Sequence, residues 1–291
     1  MYIIIIILYL INYNNNKSLM NKYVTLNNGV KMPILGLGVY LNTGKECVNS
    51  VKKAIELGYR HIDTAQYYGN EKEVGDAIRA SKIPREEIFV TTKTATSGYS
   101  STKHGIEQSL KKFGFPYFDL IIIHWPMGDD IGTYKALEEA YKEGKCKAIG
   151  LSNFNEREFL EVYNKCKIKP VINQIETHLY FQQKKMHDFL IKYNCIHESW
   201  SPFGGNGARI LKNKNLLEIA EKYKKTPAQI ALRYLIQLNI VVIPKTVNEN
   251  RMIENLDVFN FEIKDEDMKL LAKIDTGKGK SWPSGMSDEF Y

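Results

Sequence analysis

The strongest constraint on this chain is an alternation that repeats about eight times. A short apolar run is followed by a polar loop and then by a stretch with apolar residues every three or four positions. The runs are ILGLGVY (34–40), YRHIDTA (59–65), IFVTTK (88–93), DLIIIHW (119–125), AIGLSN (148–153), VINQIE (171–176), CIHESWS (195–201) and VVIPKT (241–246). They are too continuously apolar for strands with one wet face, so both faces are expected to be covered. The helical stretches between them fall at 44–57, 71–81, 102–113, 133–143, 155–166, 184–193 and 227–238. Strict alternation implies a parallel sheet, and eight units imply closure into an α/β fold, the (β/α)8 TIM barrel. A length of 291 residues suits that barrel, which typically takes about 250 residues.

The remaining segments decorate this frame. YVTLNNGVKM (23–32) reads as a β-hairpin, because Asn27, Asn28 and Gly29 tolerate the positive φ of a tight turn. Two extra helices are expected, over 214–224 and 265–275. The helix from 227 starts at Thr226-Pro227, a natural N-cap and first position. The final GKGKSWPSGMSDEFY has turn residues and no periodicity, and reads as a C-terminal loop over one barrel mouth, with Trp282 at hand to complete a pocket. Tyr2 to Ile11 is continuously apolar, but it reaches only about half the ~20 residues of a membrane span and has no basic residue before it. Residues 1–20 are therefore expected to be an N-terminal tail outside the fold, and 21–291 a single barrel domain.

Composition narrows the function. The net charge of +7 comes from scattered lysines with no basic run interleaved with aromatics, which argues against a nucleic-acid groove and suits a small anionic ligand. Cys47, Cys146, Cys166 and Cys195 form no CxxC or Cys/His cluster, so neither a zinc site nor a disulfide framework is expected, and a reducing, cytoplasmic setting is. His61, His104, His178, His187 and His197 share no metal-ligand spacing and read as ordinary core or surface residues.

The expected strands end in polar residues: Asp63, Lys93, His124, Ser152 with Asn153, Gln174 with Glu176, and Lys245. In a closed parallel barrel these ends ring one mouth, where such folds do their chemistry. Taken alone, Asp63 reads as a loop cap and Tyr68, five residues on, as a packed ring; their company changes that. A buried Lys93 needs a counterion, and Asp63 on the neighbouring strand provides one. A phenol beside a cation loses its proton more readily, so the pKa of Tyr68 is expected to be brought below the ordinary value of about 10. Tyr68 is then a general acid, with His124 donating a hydrogen bond to a carbonyl oxygen held between them. On composition alone, Tyr40 and Trp125 are as well explained by core packing as by a pocket. Gly36 and Gly38 lack the third glycine and downstream acid of a dinucleotide fingerprint, and read as easing strand curvature.

HIDTAQYYGNE, TTK, IIIHWP, IGLSNF, INQIE and IPKT followed by RMIEN occur in this order from about residue 23 onward, and together they resemble the aldo-keto reductase family. The resemblance implies a nicotinamide-dependent oxidoreductase without metal, in which Tyr68 donates the proton, Lys93 and Asp63 are its charge partners and His124 orients the carbonyl. It implies that Ser152, Asn153 and Gln174 hold the cofactor carboxamide, that Trp200 stacks on the nicotinamide beside Ser201, and that Lys245, Thr246, Arg251, Glu254 and Asn255 clamp the adenosine phosphate. Two cations beside a hydroxyl favour NADPH (NADP+) over NADH. Thr246, where the family commonly has Ser, adds a methyl. Trp200 within SWSPFG is similar to the bacterial and protozoan branch that includes diketogluconate reductases and a prostaglandin F synthase. Tyr40 and Trp125 match residues lining the substrate pocket, and the short loop after His124 implies an open site for varied aldehydes. The resemblance also implies a monomer with small-molecule carbonyl substrates and no nucleic-acid or membrane partner. Two other readings stay open: a regulatory or binding subunit on the same fold with little turnover, and a barrel isomerase or phosphatase, against which the Asp63, Tyr68, Lys93 and His124 set speaks.

Overall fold

The computed structural model describes residues 22–205 and 209–279. The expected N-terminal tail and most of the C-terminal loop, Trp282 included, lie outside the described residues. The chain begins with β1 (Tyr23–Thr25) and β2 (Lys31–Pro33), paired antiparallel with Val24 opposite Met32. Gly29, at φ +85°, makes the turn as expected. The hairpin buries Val24 and Met32, and its turn reaches the loops entering three later strands. Asn27 Nδ2 donates to the carbonyls of Pro170 (2.9 Å) and Asn194 (3.2 Å), and Asn28 Nδ2 to that of Lys147 (2.9 Å). It therefore plugs the N-terminal mouth.

Eight parallel strands follow: β3 (Leu37–Gly38), β4 (His61–Asp63), β5 (Phe89–Thr94), β6 (Leu120–Ile123), β7 (Ile149–Ser152), β8 (Ile172–Glu176), β9 (Ile196–Trp200) and β10 (Val241–Val242). Each pairs with the next in chain order. The parallel bridges Leu35 to Val242 and Gly38 to Lys245 join the last strand to the first and close the barrel. The two closing strands are shorter than their apolar runs. Pro244 has no N–H to extend the ladder, so this edge is held by single bonds such as Gly38 N–H to the Pro244 carbonyl, 3.2 Å. A Cβ on Gly38 would stand 2.9 Å from the Ile243 carbonyl oxygen. This glycine permits the close approach of the last strand to the first, where the sequence suggested an easing of strand curvature.

The helices are α1 (Gly44–Leu57), α2 (Glu71–Ser81), α3 (Tyr99–Phe113), α4 (Asp130–Lys142), α5 (Glu156–Lys165), α6 (Lys184–Lys192), α7 (Lys214–Tyr223), α8 (Pro227–Gln237), α9 (Glu249–Leu256) and α10 (Asp265–Ala272). Caps set their starts. Asn155 with Glu158 and Thr226 with Gln229 form reciprocal capping boxes, and Pro227 takes the first position of α8. Helix α9 was not foreseen: NENRMIEN is short and mostly polar, and only Met252 and Asn255 are buried. Its start is fixed by the Asn248 side chain, which accepts from Arg251 N–H at 3.1 Å. The four cysteines are free thiols, and Cys47, Cys146 and Cys195 are buried. No helix among the described residues is long and apolar enough to cross a membrane.

Candidate active site

Strand ends β4, β5 and β6 bring Asp63, Lys93 and His124 to one mouth, and the single 3₁₀ turn after β4 (Gln66–Tyr68) carries Tyr68 over them. The loop is pinned from behind: Asn70 Nδ2 donates to the carbonyls of Val39 (2.9 Å) and Asn42 (2.7 Å), and its Oδ1 accepts from Thr64 Oγ1 (2.5 Å). Lys93 is wholly buried. Its ammonium spends its three hydrogens on Asp63 Oδ1, on the Thr64 carbonyl (3.0 Å) and on the Tyr68 hydroxyl (3.4 Å). The same nitrogen lies 4.9 Å from the Tyr68 ring centroid. Burial pulls the Lys93 ammonium down, but Asp63 and Tyr68 outweigh it, and it stays charged with a pKa above its ordinary value.

One expectation is corrected here. The Tyr68 pKa is raised, not lowered, because burial of its hydroxyl outweighs the pull of Lys93, and Asp63 opposes that pull. Sequence reasoning counted the cation and left out desolvation. Tyr68 is thus a neutral phenol throughout the physiological range. His124 meets it edge to face, with ring centroids 5.7 Å apart. Burial, reinforced by Lys93, pushes the His124 imidazole down to about 3, so it too is neutral.

A second layer holds the first in place. Gln174 Nε2 donates to Asp63 Oδ2 at 2.9 Å and to Glu198 Oε2 at 2.8 Å. Ser152 Oγ donates to the Gln174 carbonyl at 2.7 Å. Asn153, at φ +65°, is in the left-handed region that Asn tolerates. Its Nδ2 donates to the His124 carbonyl (2.9 Å) and to Ser152 Oγ (2.9 Å), while its Oδ1 accepts from Trp200 Nε1 (2.8 Å). The indole of Trp200 therefore braces the backbone at His124 through Asn153. Trp125 stands edge-on to Trp200 at 6.4 Å, and Tyr40, 49% exposed, lies 5.0 Å from the Tyr68 ring. Composition left packing and pocket equally open for Tyr40; its exposure beside Tyr68 places it at the mouth.

The other group gathers after β10. Lys245 and Arg251 are exposed, and neither makes a salt bridge among the described residues. Thr246 is buried, its Oγ1 accepting from Asn248 N–H at 3.1 Å. Glu254 Oε1 accepts from Thr226 Oγ1 at 2.5 Å, and Asn255 is buried beside the Tyr59 phenol. Ser201, at φ +51°, ends β9 next to Trp200. Among the described residues no group of three or more His, Cys, Asp or Glu could hold a metal.

Sequence reasoning missed Glu198 and the use of His61. His61 Nε2 lies 3.3 Å from Thr91 Oγ1 and 3.8 Å from Glu198 Oε1, wholly buried below Asp63. The run of three polar residues, His197, Glu198 and Ser199, inside β9 was the signal available.

The profile of the Aldo/keto reductase family matches residues 35–276. The chain belongs to the aldo-keto reductase family. It is 46% identical over 260 residues to the 9,11-endoperoxide prostaglandin H2 reductase of Trypanosoma cruzi (strain CL Brener), covering 88% of this chain and 92% of that one. It is 44% identical over 249 residues to the glyoxal reductase of Bacillus subtilis (strain 168), covering 84% and 90%. An aldo-keto reductase solved as its NADPH complex superposes with a TM-score of 0.83 at 34% identity, covering 88% of each chain. This aldo-keto reductase is accordingly a carbonyl-reducing oxidoreductase that uses a nicotinamide cofactor.

Proposed function

We propose that this aldo-keto reductase reduces aldehydes and ketones to alcohols with NADPH, with Tyr68 supplying the proton. The observation that carries this reading is the Lys93 ammonium, held by Asp63 and aimed at the Tyr68 hydroxyl at 3.4 Å. When bound, the dihydronicotinamide supplies a hydride to the carbonyl carbon. The carbonyl oxygen, gaining negative charge, takes the Tyr68 proton, and the phenolate left on Tyr68 is stabilised by Lys93 until water reprotonates it. His124, neutral, donates a hydrogen bond to the same oxygen and fixes its approach. No described side chain engages its ring nitrogens, which leaves them for substrate.

The residues present suit the cofactor. The side-chain oxygens of Ser152, Asn153 and Gln174 offer acceptors to a carboxamide, and Trp200 offers a flat face braced by Asn153. Lys245 and Arg251, exposed and free of ion pairs among the described residues, together with the Thr246 hydroxyl suit a 2′-phosphate, which favours NADPH over NADH. Glu254 and Asn255 complete the adenosine side. Tyr40, exposed beside the Tyr68 ring, and Trp125, edge-on to Trp200, suit a pocket for aldehydes of varied size. We further infer a single-domain monomer of the cytoplasm, in keeping with its four free thiols.

The test is loss of NADPH absorbance with a panel of small and bulky aldehydes, glyoxal included, beside NADH and beside Tyr68→Phe. Turnover that prefers NADPH and falls by about 10³-fold in the variant is expected. Undiminished turnover by Tyr68→Phe would remove Tyr68 from its role, and binding of NADPH without turnover would leave only a binding subunit.

A further inference from the structure

Behind Asp63 lies a second carboxyl that neither the reaction nor the cofactor clamp explains. Glu198 is fully buried on β9, in register with Gln174 on β8. Its Oε2 accepts from Gln174, and its Oε1 has no hydrogen-bond partner. The groups facing it are His61 and Asp63 from β4, Lys93 from β5 and Gln174 from β8; its partner on β10 is the apolar Val241. Lys93 is committed to Asp63. His61, pushed down to about 3 by burial and by Lys93, is neutral. Glu198 therefore has no cation of its own.

This placement has two consequences. Both N–H bonds of the Gln174 amide are spent, one on each carboxyl. Turning the amide over would aim its carbonyl oxygen at ionised Asp63 and at Glu198 together, so Gln174 Oε1 is held facing away from them. No described residue donates to that oxygen, which leaves it as an acceptor for a primary amide. The second consequence is electrostatic. With Glu198 protonated, the ring of Lys93, Asp63, Glu198, His61 and Tyr68 sums to zero charge. Ionised, Glu198 adds a negative charge that the Tyr68 phenolate must then form against.

We propose that Glu198 is a positioning residue of this site: it fixes the Gln174 amide with its oxygen toward the cofactor, and its negative charge, once formed, opposes proton release from Tyr68. The proposal rests on the reductase reading above. Burial, and then the charge of Asp63, push the Glu198 carboxyl up to about 8, so the neutral acid is the working form at neutral pH.

The experiment compares wild type, Glu198→Gln and Glu198→Leu. In wild type, kcat for aldehyde reduction is expected to fall about tenfold between about pH 7 and about pH 9; in Glu198→Gln, neutral at every pH, that fall disappears while kcat at about pH 6 stays within about threefold of wild type. Glu198→Leu leaves one Gln174 N–H without an acceptor and weakens NADPH binding about tenfold by fluorescence titration, whereas Glu198→Gln, whose amide oxygen accepts that N–H, restores it. An unchanged alkaline fall in Glu198→Gln, or wild-type NADPH affinity in Glu198→Leu, overturns the proposal. An infrared titration of the cofactor-free wild type reads the carboxyl directly: the C=O stretch of a buried protonated acid is expected at pH 7 and lost near pH 8. Its absence at pH 7 overturns the proposal even if both variants fail to fold. Absence of turnover at every pH in wild type would refute the reductase reading instead, with the infrared and binding arms still judging Glu198.

Discussion

Replacing Lys93 by Met removes the cation 3.4 Å from the Tyr68 oxygen while keeping a side chain of similar length. At that distance and an effective dielectric constant of about 20, an ammonium and a phenolate attract by about 5 kcal/mol. Tyr68 is only partly buried as a whole residue, and screening by nearby water reduces this to about 3 kcal/mol, or a little over a hundredfold in rate. The fall should appear in kcat with little change in the KM for aldehyde, because the attraction grows only as the proton leaves. Lys93→Met also strands Asp63, at a cost of about 3–5 kcal/mol for a broken buried pair. The double variant Lys93→Met/Asp63→Asn separates the two effects: it should regain most of the lost melting temperature and none of the lost kcat. Steady-state kinetics and calorimetry on wild type and both variants decide the matter. A kcat for Lys93→Met within about tenfold of wild type, or recovery in the double variant, would refute the assignment of the rate effect to the charge on Lys93.

Three further outcomes follow from other parts of the molecule. His61 and His124 are held down to about 3, mainly by burial, and His197 well below its ordinary value, so the folded chain refuses protons that the unfolded chain accepts below about 6.5. Their contribution to stability is therefore full above about pH 6.5 and lost as pH falls toward about 3, which melting temperatures measured from about pH 6.5 downward, beside a His61→Asn variant, will show. Asp119, nearly fully buried at the N-terminal end of the barrel, binds Arg85 at 2.8 Å, Lys147 at 2.9 Å and Val90 N–H at 2.9 Å; Asp119→Ala should lower the melting temperature by about 10 °C and leave kcat unchanged. Arg251→Ala should raise the KM for NADPH by about 10- to 100-fold and leave that for NADH within about twofold, read from initial rates with each cofactor.

The barrel was legible because its period is local. Each strand and helix announces itself within about ten residues, and caps such as Thr226-Pro227 fix the boundaries. Helix α9 escaped because Met252 is its one fully buried apolar residue, too few to show a period, and its start is set by the Asn248 cap. The residues gathered around Tyr68 were legible for the same reason as the strands: Asp63, Lys93, His124 and Ser152 stand at or beside strand ends, and closure brings strand ends together, while Gln174, mid-strand on β8, was legible through the INQIE motif. Glu198 stands mid-strand, two residues before Trp200. Its partners Gln174 and His61 come from an adjacent strand and from across the barrel, a relation set by register and closure that no local pattern encodes.

The raised pKa of Tyr68 suits a proton donor better than a lowered one would. A cation that acidified the phenol at rest would also raise the fraction of phenolate before substrate arrives, and a phenolate cannot give a proton. Here burial keeps Tyr68 protonated, and the attraction of Lys93 is realised only as negative charge appears on the oxygen. Binding that strengthens on the way to the transition state raises kcat, whereas binding already spent in the resting state does not. The barrel wall supports the same economy of charge. Asp63 neutralises Lys93, His61 and His124 stay neutral, and Glu198 holds its proton, so on the proposed role of Tyr68 the one charge created in the interior during reduction is the one Lys93 is placed to receive.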